Sequence, residues 1–326
     1  MDKIAFAKPE QRKALLLEVA HKANLEPHIV EKDFWVSWIL GKIFSDKELN
    51  KILCFKGGTS LSKVFGLIER FSEDIDLILA QSTVLKEGEN LYQSSNSKQA
   101  SFNAIIEERA GVFISNELKE MIAKVVSPVC QIKEDETDKH VLYTIFPRLF
   151  DYGYIQPTVK LEIGPLALWN PHEQYPIDSF LGKYLPELGL DRPIVTTIKP
   201  QRTFWEKITI LHHEAHRPVN SIVPVRYSRH YYDIYKMGHT KVKNEAFQNL
   251  DILNEVILFK KRFYPRGWAK YDEAIPGTMK LIPSTVNIKV LEDDYFRMKR
   301  MIYGEVPDWN EIIIYLSELE KEINNL

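Results

Sequence analysis

The chain has 326 residues, of which 44% are hydrophobic and 27% charged, and its 43 basic residues nearly balance 45 acidic ones. This composition is typical of a globular protein with one large or two ordinary domains, and no apolar run is long enough to span a bilayer. Two cysteines, Cys54 and Cys130, are too few for a disulfide framework or a multi-cysteine metal site, and the polar N-terminal segment lacks the apolar core of a signal peptide. We therefore expect a cytoplasmic protein with no membrane partner.

The first quarter of the chain is predicted to alternate between helix and strand. Residues 10–45 carry apolar side chains with a period near 3.6, which indicates helix. A short strand is predicted at 51–55, and the segment TSLSKVFGLI at 59–68 begins with two hydroxyl residues and has the spacing of an amphipathic helix. The segment DIDLILA at 74–80 then alternates as a strand does.

The remainder is predicted to change from mixed structure to helix. Residues 81–103 are polar and are expected to form a surface loop or a partly disordered insertion, and residues 104–127 a helix. Three segments rich in β-branched and aromatic residues follow, VCQIKED, HVLYTIFPRLF and TVKLEIG, before a stretch at 164–200 in which prolines and glycines recur. The sequence thus predicts an α+β fold: a small mixed sheet flanked by helices at 1–195, and a mainly α-helical domain at 196–326.

Two acidic residues stand in the strand predicted at 74–80. Side chains alternate along a strand, so Asp74 and Asp76 are expected to point to the same side, where their charges repel each other. A divalent cation removes this repulsion, and Mg²⁺ in particular binds few protein carboxylates and completes its shell with water and phosphate oxygens. The pair therefore predicts a site for Mg²⁺ or Mn²⁺ of the kind used in phosphoryl or nucleotidyl transfer.

A glycine-rich segment precedes these carboxylates. Gly57, Gly58, Thr59 and Ser60 lie between a predicted strand and a predicted helix, where backbone N–H groups can approach a phosphate closely. The spacing is not that of a Walker A loop. Alone, a Gly-Gly pair is usually a turn and an Asp-x-Asp usually surface charge, but their order along the chain is much more specific.

This order resembles the signature of the DNA polymerase β-like nucleotidyltransferase superfamily, and more closely the first motif of the AbiEii toxin family, which includes the MenT-type toxins. After the GGTSL segment, Arg70, Ser72, Asp74 and Asp76 match the RxSxDxD pattern of that family. The segments EKDFWVSWIL and DDYFRMKRMIYGEVPDW are similar to its N-terminal helix and its C-terminal region. The resemblance implies a nucleotidyltransferase fold.

The superfamily usually has a third acidic residue on a neighbouring strand. In the segment TVKLEIG, Lys160 and Glu162 share one strand face, so the resemblance implies Glu162 as the third metal ligand or as the base that activates the attacking hydroxyl. A glutamate is less common there than an aspartate, and an ordinary surface ion pair is the alternative.

Basic residues of the helical part are candidates for the triphosphate. The segment TFWEKITILHHEAH resembles the third family motif, and Lys207 lies at the margin of its apolar face, where an ammonium can reach a phosphate or remain solvated. Glu206 either orients Lys207 or is solvated. The histidines at the end of this segment lack the HExxH spacing of a zinc site.

The segment RYSRHYYDIYKM resembles the fourth motif. Arg229 and Asp233 are four residues apart and are expected to pair on one helix face. Arg226 or Arg229 is then a candidate nucleotide contact, and Asp233 a residue that holds an arginine or lysine in place, unless the pair is purely structural. His230 stands where relatives often have an acidic residue, and no catalytic role is assigned to it.

Together these motifs predict a metal-dependent nucleotidyltransferase that transfers NMP from an NTP. Asp74, Asp76, Glu162 and Lys207 are the expected catalytic residues. The expected nucleotide contacts are Lys56, Gly57, Gly58, Thr59, Ser60, Lys63, Arg226, Arg229 and Asp233. The resemblance implies a toxin of a type IV-like toxin–antitoxin or abortive-infection system, with an antitoxin partner and an RNA acceptor such as the tRNA 3′ end. Transfer to a protein hydroxyl and a non-catalytic nucleotide-binding protein remain alternatives.

Overall fold

The structure is a computed structural model that describes residues 1–151 and 157–326. The contacts between Cα atoms divide the chain into two compact units. The first comprises Met1–Val64, Ser72–Gln93 and Ser101–Ile198, and the second comprises Phe65–Phe71, Ser94–Ala100 and Lys199–Leu326. The predicted boundary between residues 195 and 196 falls inside the last strand of the first unit.

A seven-stranded mixed sheet is the centre of the first unit. Its strands are β1 (Leu53–Lys56), β2 (Ile75–Leu79), β3 (Gln131–Glu134), β4 (Val141–Ile145), β5 (Thr158–Gly164), β6 (His172–Pro176) and β7 (Ile194–Ile198). The strand order is β3-β4-β5-β2-β1-β7-β6, in which β2 and β5 are parallel, β1 and β7 are parallel, and the other neighbours are antiparallel. The predicted mixed sheet is therefore confirmed.

Helices of the first unit pack around this sheet. They are α1 (Asp2–Ala5), α2 (Pro9–Ala23), α3 (Pro27–Ser45), α4 (Lys47–Ile52), α5 (Gly57–Lys63), α6 (Asn96–Phe113), α7 (Lys119–Val126) and α8 (Phe180–Tyr184), of which α6 begins in the segment Ser94–Ala100. The helix predicted at 10–45 is in fact two helices, because Asn24 takes a left-handed conformation (φ 52°) and Pro27 starts a new helix. No helix among the described residues is long and apolar enough to cross a membrane.

The central strands have an apolar core on one face and part of the polar site on the other. Leu161 and Ile163 of β5 are buried, while Lys160 and Glu162, which alternate with them, are half-buried. On the face that carries Asp76, the row of side chains continues into an apolar cluster of Cys54, Ile78, Ala167 and Ile198. The polar site and this apolar cluster therefore lie next to each other along the same strands.

Two strands and two helix boundaries differ from the sequence prediction. Strands β6 and β7 occupy the stretch at 164–200, where the prolines and glycines predicted only a boundary. Helix α5 already ends at Lys63, although the apolar spacing predicted a helix to residue 68, and Gly66 has a positive φ of 61°. Helix α6 begins at Asn96, inside the predicted loop.

The second unit is mainly helical, as its sequence predicts. Its helices are α9 (Pro200–Ala215), α10 (Ser228–Gly238), α11 (Lys241–Phe247), α12 (Leu250–Phe263), α13 (Thr285–Met298) and α14 (Trp309–Asn324). Helix α10 is at its centre and packs against α9, α11, α13 and α14. The segment Phe65–Phe71 belongs to this unit, where Arg70 pairs with Ile302 in an isolated β-bridge.

Candidate active site

Three adjacent strands place polar side chains at one level of the sheet. Asp76 on β2 lies opposite Glu162 on the parallel strand β5 and opposite Lys56 on the antiparallel strand β1. Because residues in register project to the same face, the two carboxylates and the ammonium share that face. All three are half-buried, so a ligand in water can reach them. Asp74 lies immediately before β2.

Gly57 makes room for the Asp76 carboxylate. It has a positive φ of 82°, and a Cβ atom at this position would lie 1.9 Å from Asp76 Oδ2. A side chain at that distance would displace the Asp76 carboxylate, and the positive φ also favours glycine. The diglycine segment is the first turn of α5 and not a separate loop, and its first glycine is in direct contact with the predicted metal ligand.

The two hydroxyl residues after the glycines are buried and form internal hydrogen bonds. Thr59 Oγ1 lies 2.9 Å from Ser72 Oγ and 2.5 Å from the backbone oxygen of Asp74. Ser60 Oγ donates to Gly57 O at 2.8 Å. Thr59 therefore ties α5 to the turn that carries Asp74, and the serine of the RxSxDxD pattern belongs to this link. The two hydroxyls therefore hold the backbone of the site in place.

The two lysines predicted beside the glycines have different environments. Lys63 Nζ donates to Asp33 Oδ1 at 2.5 Å and to Asp178 O at 3.3 Å, and its side chain is almost fully buried. Its charge is therefore already compensated by α3, which argues against a phosphate contact. Lys56 forms no ion pair with any described residue, so its charge is available for a ligand.

Asp74 lies in a strongly acidic environment. Burial, followed by the nearby charges of Glu73 and Glu162, raises the pKa of Asp74, while Lys160 and Lys32 oppose this rise. Lys32 pairs with Glu73, and Lys160 with Glu162. A cation would relieve the repulsion that remains, which is the electrostatic condition for metal binding.

Carboxylate oxygens are the donors that Mg²⁺ and Mn²⁺ prefer, so the chemistry of the acidic side chains fits such an ion. Within residues 1–151 and 157–326, however, no group of three or more His, Cys, Asp or Glu side chains converges as a metal site does. Glu162 accepts a hydrogen bond from Lys160, and this ion pair would open if Glu162 joined Asp74 and Asp76 around a metal.

The second unit contains a buried ion-pair cluster around Asp233. Arg70 binds its carboxylate with two hydrogen bonds, Nε to Oδ1 at 2.7 Å and Nη2 to Oδ2 at 2.8 Å, and Lys207 Nζ lies 2.8 Å from Oδ2. Asp233 is fully buried. Burial alone would raise the pKa of Asp233, but the charges of Arg70 and Lys207 outweigh it and hold that pKa well below its ordinary value.

The predicted pair of Arg229 and Asp233 is not formed. Asp233 is bound by Arg70 and Lys207, and Arg229 has no ion pair with any residue in the described part of the chain. The sequence could not predict this, because Arg70 is 163 positions from Asp233. The RxSxDxD pattern contained Arg70, but nothing in the spacing indicated its partner. Asp233 therefore contacts one arginine and one lysine, Arg70 and Lys207.

Arg226 and Glu206 have mainly structural contacts. Arg226 has a positive φ of 66°, and its backbone N–H donates to Asp294 Oδ1 at 2.8 Å. Its side chain lies 3.8 Å from Met301 Sδ. Glu206 accepts a hydrogen bond from Arg202 Nε at 3.2 Å. Glu206 is therefore engaged by its own helix, whereas the guanidinium of Arg226 is exposed.

The histidines at the end of α9 form hydrogen bonds within the protein. His212 Nδ1 accepts from the backbone N–H of Lys280 at 3.1 Å, and Nε2 donates to Lys270 O at 3.1 Å. His213 Nε2 lies 2.7 Å from Glu214 Oε1. Burial lowers the pKa of His212 to about 4.

Comparison with known protein families shows which family the chain belongs to. The model of the AbiEii family, described as nucleotidyl transferase AbiEii toxin of the type IV toxin–antitoxin system, matches residues 38–314, and the chain belongs to this family. The protein is therefore a nucleotidyltransferase toxin with a nucleotide substrate and an antitoxin partner. No curated protein matches.

Solved structures similar to this chain include the following two. One is the nucleotidyltransferase toxin MenT4 of Mycobacterium tuberculosis, with 15% identity and a TM-score of 0.46 over 95% of this chain and 97% of the other. The second is JHP933 of Helicobacter pylori, with 16% identity and a TM-score of 0.42 over 91% and 92% of the two chains.

Proposed function

We propose that the protein transfers NMP from an NTP to the 3′ end of an RNA, with tRNA as the acceptor, and releases pyrophosphate. The observation that carries the proposal is the contact of Asp76 with Gly57, in register with Glu162 and Lys56. A glycine that leaves room for one carboxylate, beside an ammonium that has no ion-pair partner among residues 1–151 and 157–326, suits a nucleotide bound through its phosphates.

Asp74 and Asp76 would hold a divalent cation, Mg²⁺ or Mn²⁺, with Glu162 as the third ligand or as the base that accepts the proton of the attacking hydroxyl. When bound, the cation would neutralise the negative charge of the phosphates. Thr59 fixes the backbone at Asp74, which keeps that carboxylate in place. Gly57, Gly58 and Lys56 would contact phosphate oxygens.

Lys207 and Arg229 are two further cations proposed to bind the triphosphate. Arg70 and Lys207 bind the Asp233 carboxylate, and the charge of Arg229 acts on Lys207 nearby, so positive charge exceeds negative charge in this cluster. Burial, together with Arg70 and Arg229, lowers the pKa of Lys207, while Asp233 opposes this. An anionic phosphate would stabilise the charged lysine and balance the cluster.

Labelled NTPs test this proposal. The purified protein is incubated with Mg²⁺ and each of the four α-labelled NTPs, with tRNA and a bacterial protein extract in separate reactions. We expect label in the tRNA at its 3′ end, and none after Asp76→Asn. Glu87→Gln, which changes an exposed carboxylate elsewhere in the first unit, should remain active. Label in protein alone would establish the protein-modifying alternative instead, and no label in either pool would contradict the proposed reaction.

A further inference from the structure

His230 is a neighbour of the Asp233 cluster to which no role has been assigned so far. It lies on α10, three residues before Asp233, and its Nδ1 is 3.3 Å from Lys207 Nζ. The charge on the ammonium means that the nitrogen of Lys207 donates and the unprotonated ring nitrogen of His230 accepts. A protonated His230 would add another positive charge to a cluster that already has three.

The surroundings keep this imidazole neutral. Burial and the charges of Lys207 and Arg229 hold the pKa of His230 well below its ordinary value, against the smaller effect of Asp233. Tyr227 packs edge-on against the ring, with the ring centroids 5.1 Å apart. The ring is therefore held in place as an uncharged acceptor at neutral pH.

The ammonium of Lys207 has three N–H groups, and two acceptors define where they point. Asp233 Oδ2 takes one at 2.8 Å and His230 Nδ1 takes another at 3.3 Å. Among the described residues no third acceptor is present. Two fixed acceptors on a tetrahedral ammonium also fix the direction of its third N–H.

We infer that His230 is a positioning residue, which directs the third N–H of Lys207 toward a phosphate oxygen of the bound triphosphate. The inference rests on the proposed role of Lys207 in binding that triphosphate. An acidic residue at this position would also accept a hydrogen bond but would neutralise the lysine further. A neutral acceptor orients Lys207 and leaves its charge for the ligand.

Binding of inorganic triphosphate tests the inference without involving the nucleotide base. His230→Leu removes the acceptor and keeps an apolar side chain, whereas His230→Asn replaces it with a neutral amide oxygen. We expect His230→Leu to weaken triphosphate binding about tenfold, because one oriented charge-assisted hydrogen bond is lost, and His230→Asn to bind within about threefold of the unmodified chain. Circular dichroism and thermal unfolding verify that both variants are folded.

A double-mutant cycle with Lys207→Met separates positioning from a general structural effect. If His230 acts through Lys207, adding His230→Leu to Lys207→Met should weaken triphosphate binding no further. An unchanged affinity of His230→Leu, or an equal loss in both backgrounds, would overturn the inference while leaving the role of Lys207 intact. Unchanged binding by Lys207→Met alone would refute the proposed role of Lys207, and the inference with it.

Discussion

Asp76 on β2 lies directly opposite Glu162 on β5, in a parallel register that brings two acidic side chains to one face of the sheet. Asp74, immediately before β2, adds a third carboxylate, and burial together with the like charges of Glu73 and Glu162 raises the pKa of Asp74. Such an arrangement destabilises the protein without its ligand and is expected where the ligand is cationic.

Replacing Gly57 with alanine should abolish activity. The new Cβ would lie 1.9 Å from Asp76 Oδ2, so the carboxylate must move. Gly88 is a matched control, since it has a similar φ of 79° but no atom within 4 Å of a Cβ. Both variants should lose about 1 kcal/mol of unfolding free energy from the positive φ. Only Gly57→Ala should lose more than tenfold in pyrophosphate release, and equal activity of the two variants would refute the assigned contact.

Asp74→Asn should stabilise the metal-free protein while inactivating it. The raised pKa of Asp74 means that its charged form is less favourable in the folded state than in the unfolded state, so a neutral isostere removes that cost. We expect the unfolding midpoint in EDTA to rise by about 1–3 °C, with no rise for Glu87→Gln. A lower midpoint for Asp74→Asn would show that this carboxylate is not electrostatically strained.

Asp233→Asn should destabilise the second unit strongly. It leaves Arg70 and Lys207 buried without their shared carboxylate, and removal of one partner from a buried ion pair typically costs about 3–5 kcal/mol. Glu48→Gln breaks the exposed pair with Lys51 and should change the unfolding free energy by less than about 0.5 kcal/mol. Urea unfolding measures both variants, and similar losses would argue against a buried cluster.

His212 should make stability fall as the solution becomes acidic. Burial lowers the pKa of His212 in the folded state to about 4, from an ordinary value of 6.5, so the unfolded state takes up the proton first as the pH falls. The contribution of His212 to the unfolding free energy is fully present above about pH 6.5 and is lost progressively down to about pH 4, by about 3 kcal/mol in total. His212→Gln should reduce the pH dependence of the unfolding free energy in this range, and an unchanged slope would contradict the assignment.

The sequence predicted the parts of the fold that local patterns encode. The alternation in TVKLEIG and the apolar residues of DIDLILA gave β5 and β2, and the order of glycines and aspartates pointed to the active site. Strands β6 and β7 could not be predicted, because their short segments lie among prolines and glycines and are stabilised by pairing along the sheet. The partner of Asp233 likewise depends on tertiary structure, and a helical i, i+4 spacing suggested Arg229 instead.

The most direct test of the central claim is a crystal grown with Mn²⁺ and a non-hydrolysable NTP analogue. We predict an anomalous Mn²⁺ peak coordinated by Asp74 and Asp76, with phosphate oxygens of the analogue in the coordination shell of the metal, beside Gly57. A peak bound by other residues, or an analogue whose phosphates lie away from these carboxylates, would contradict it.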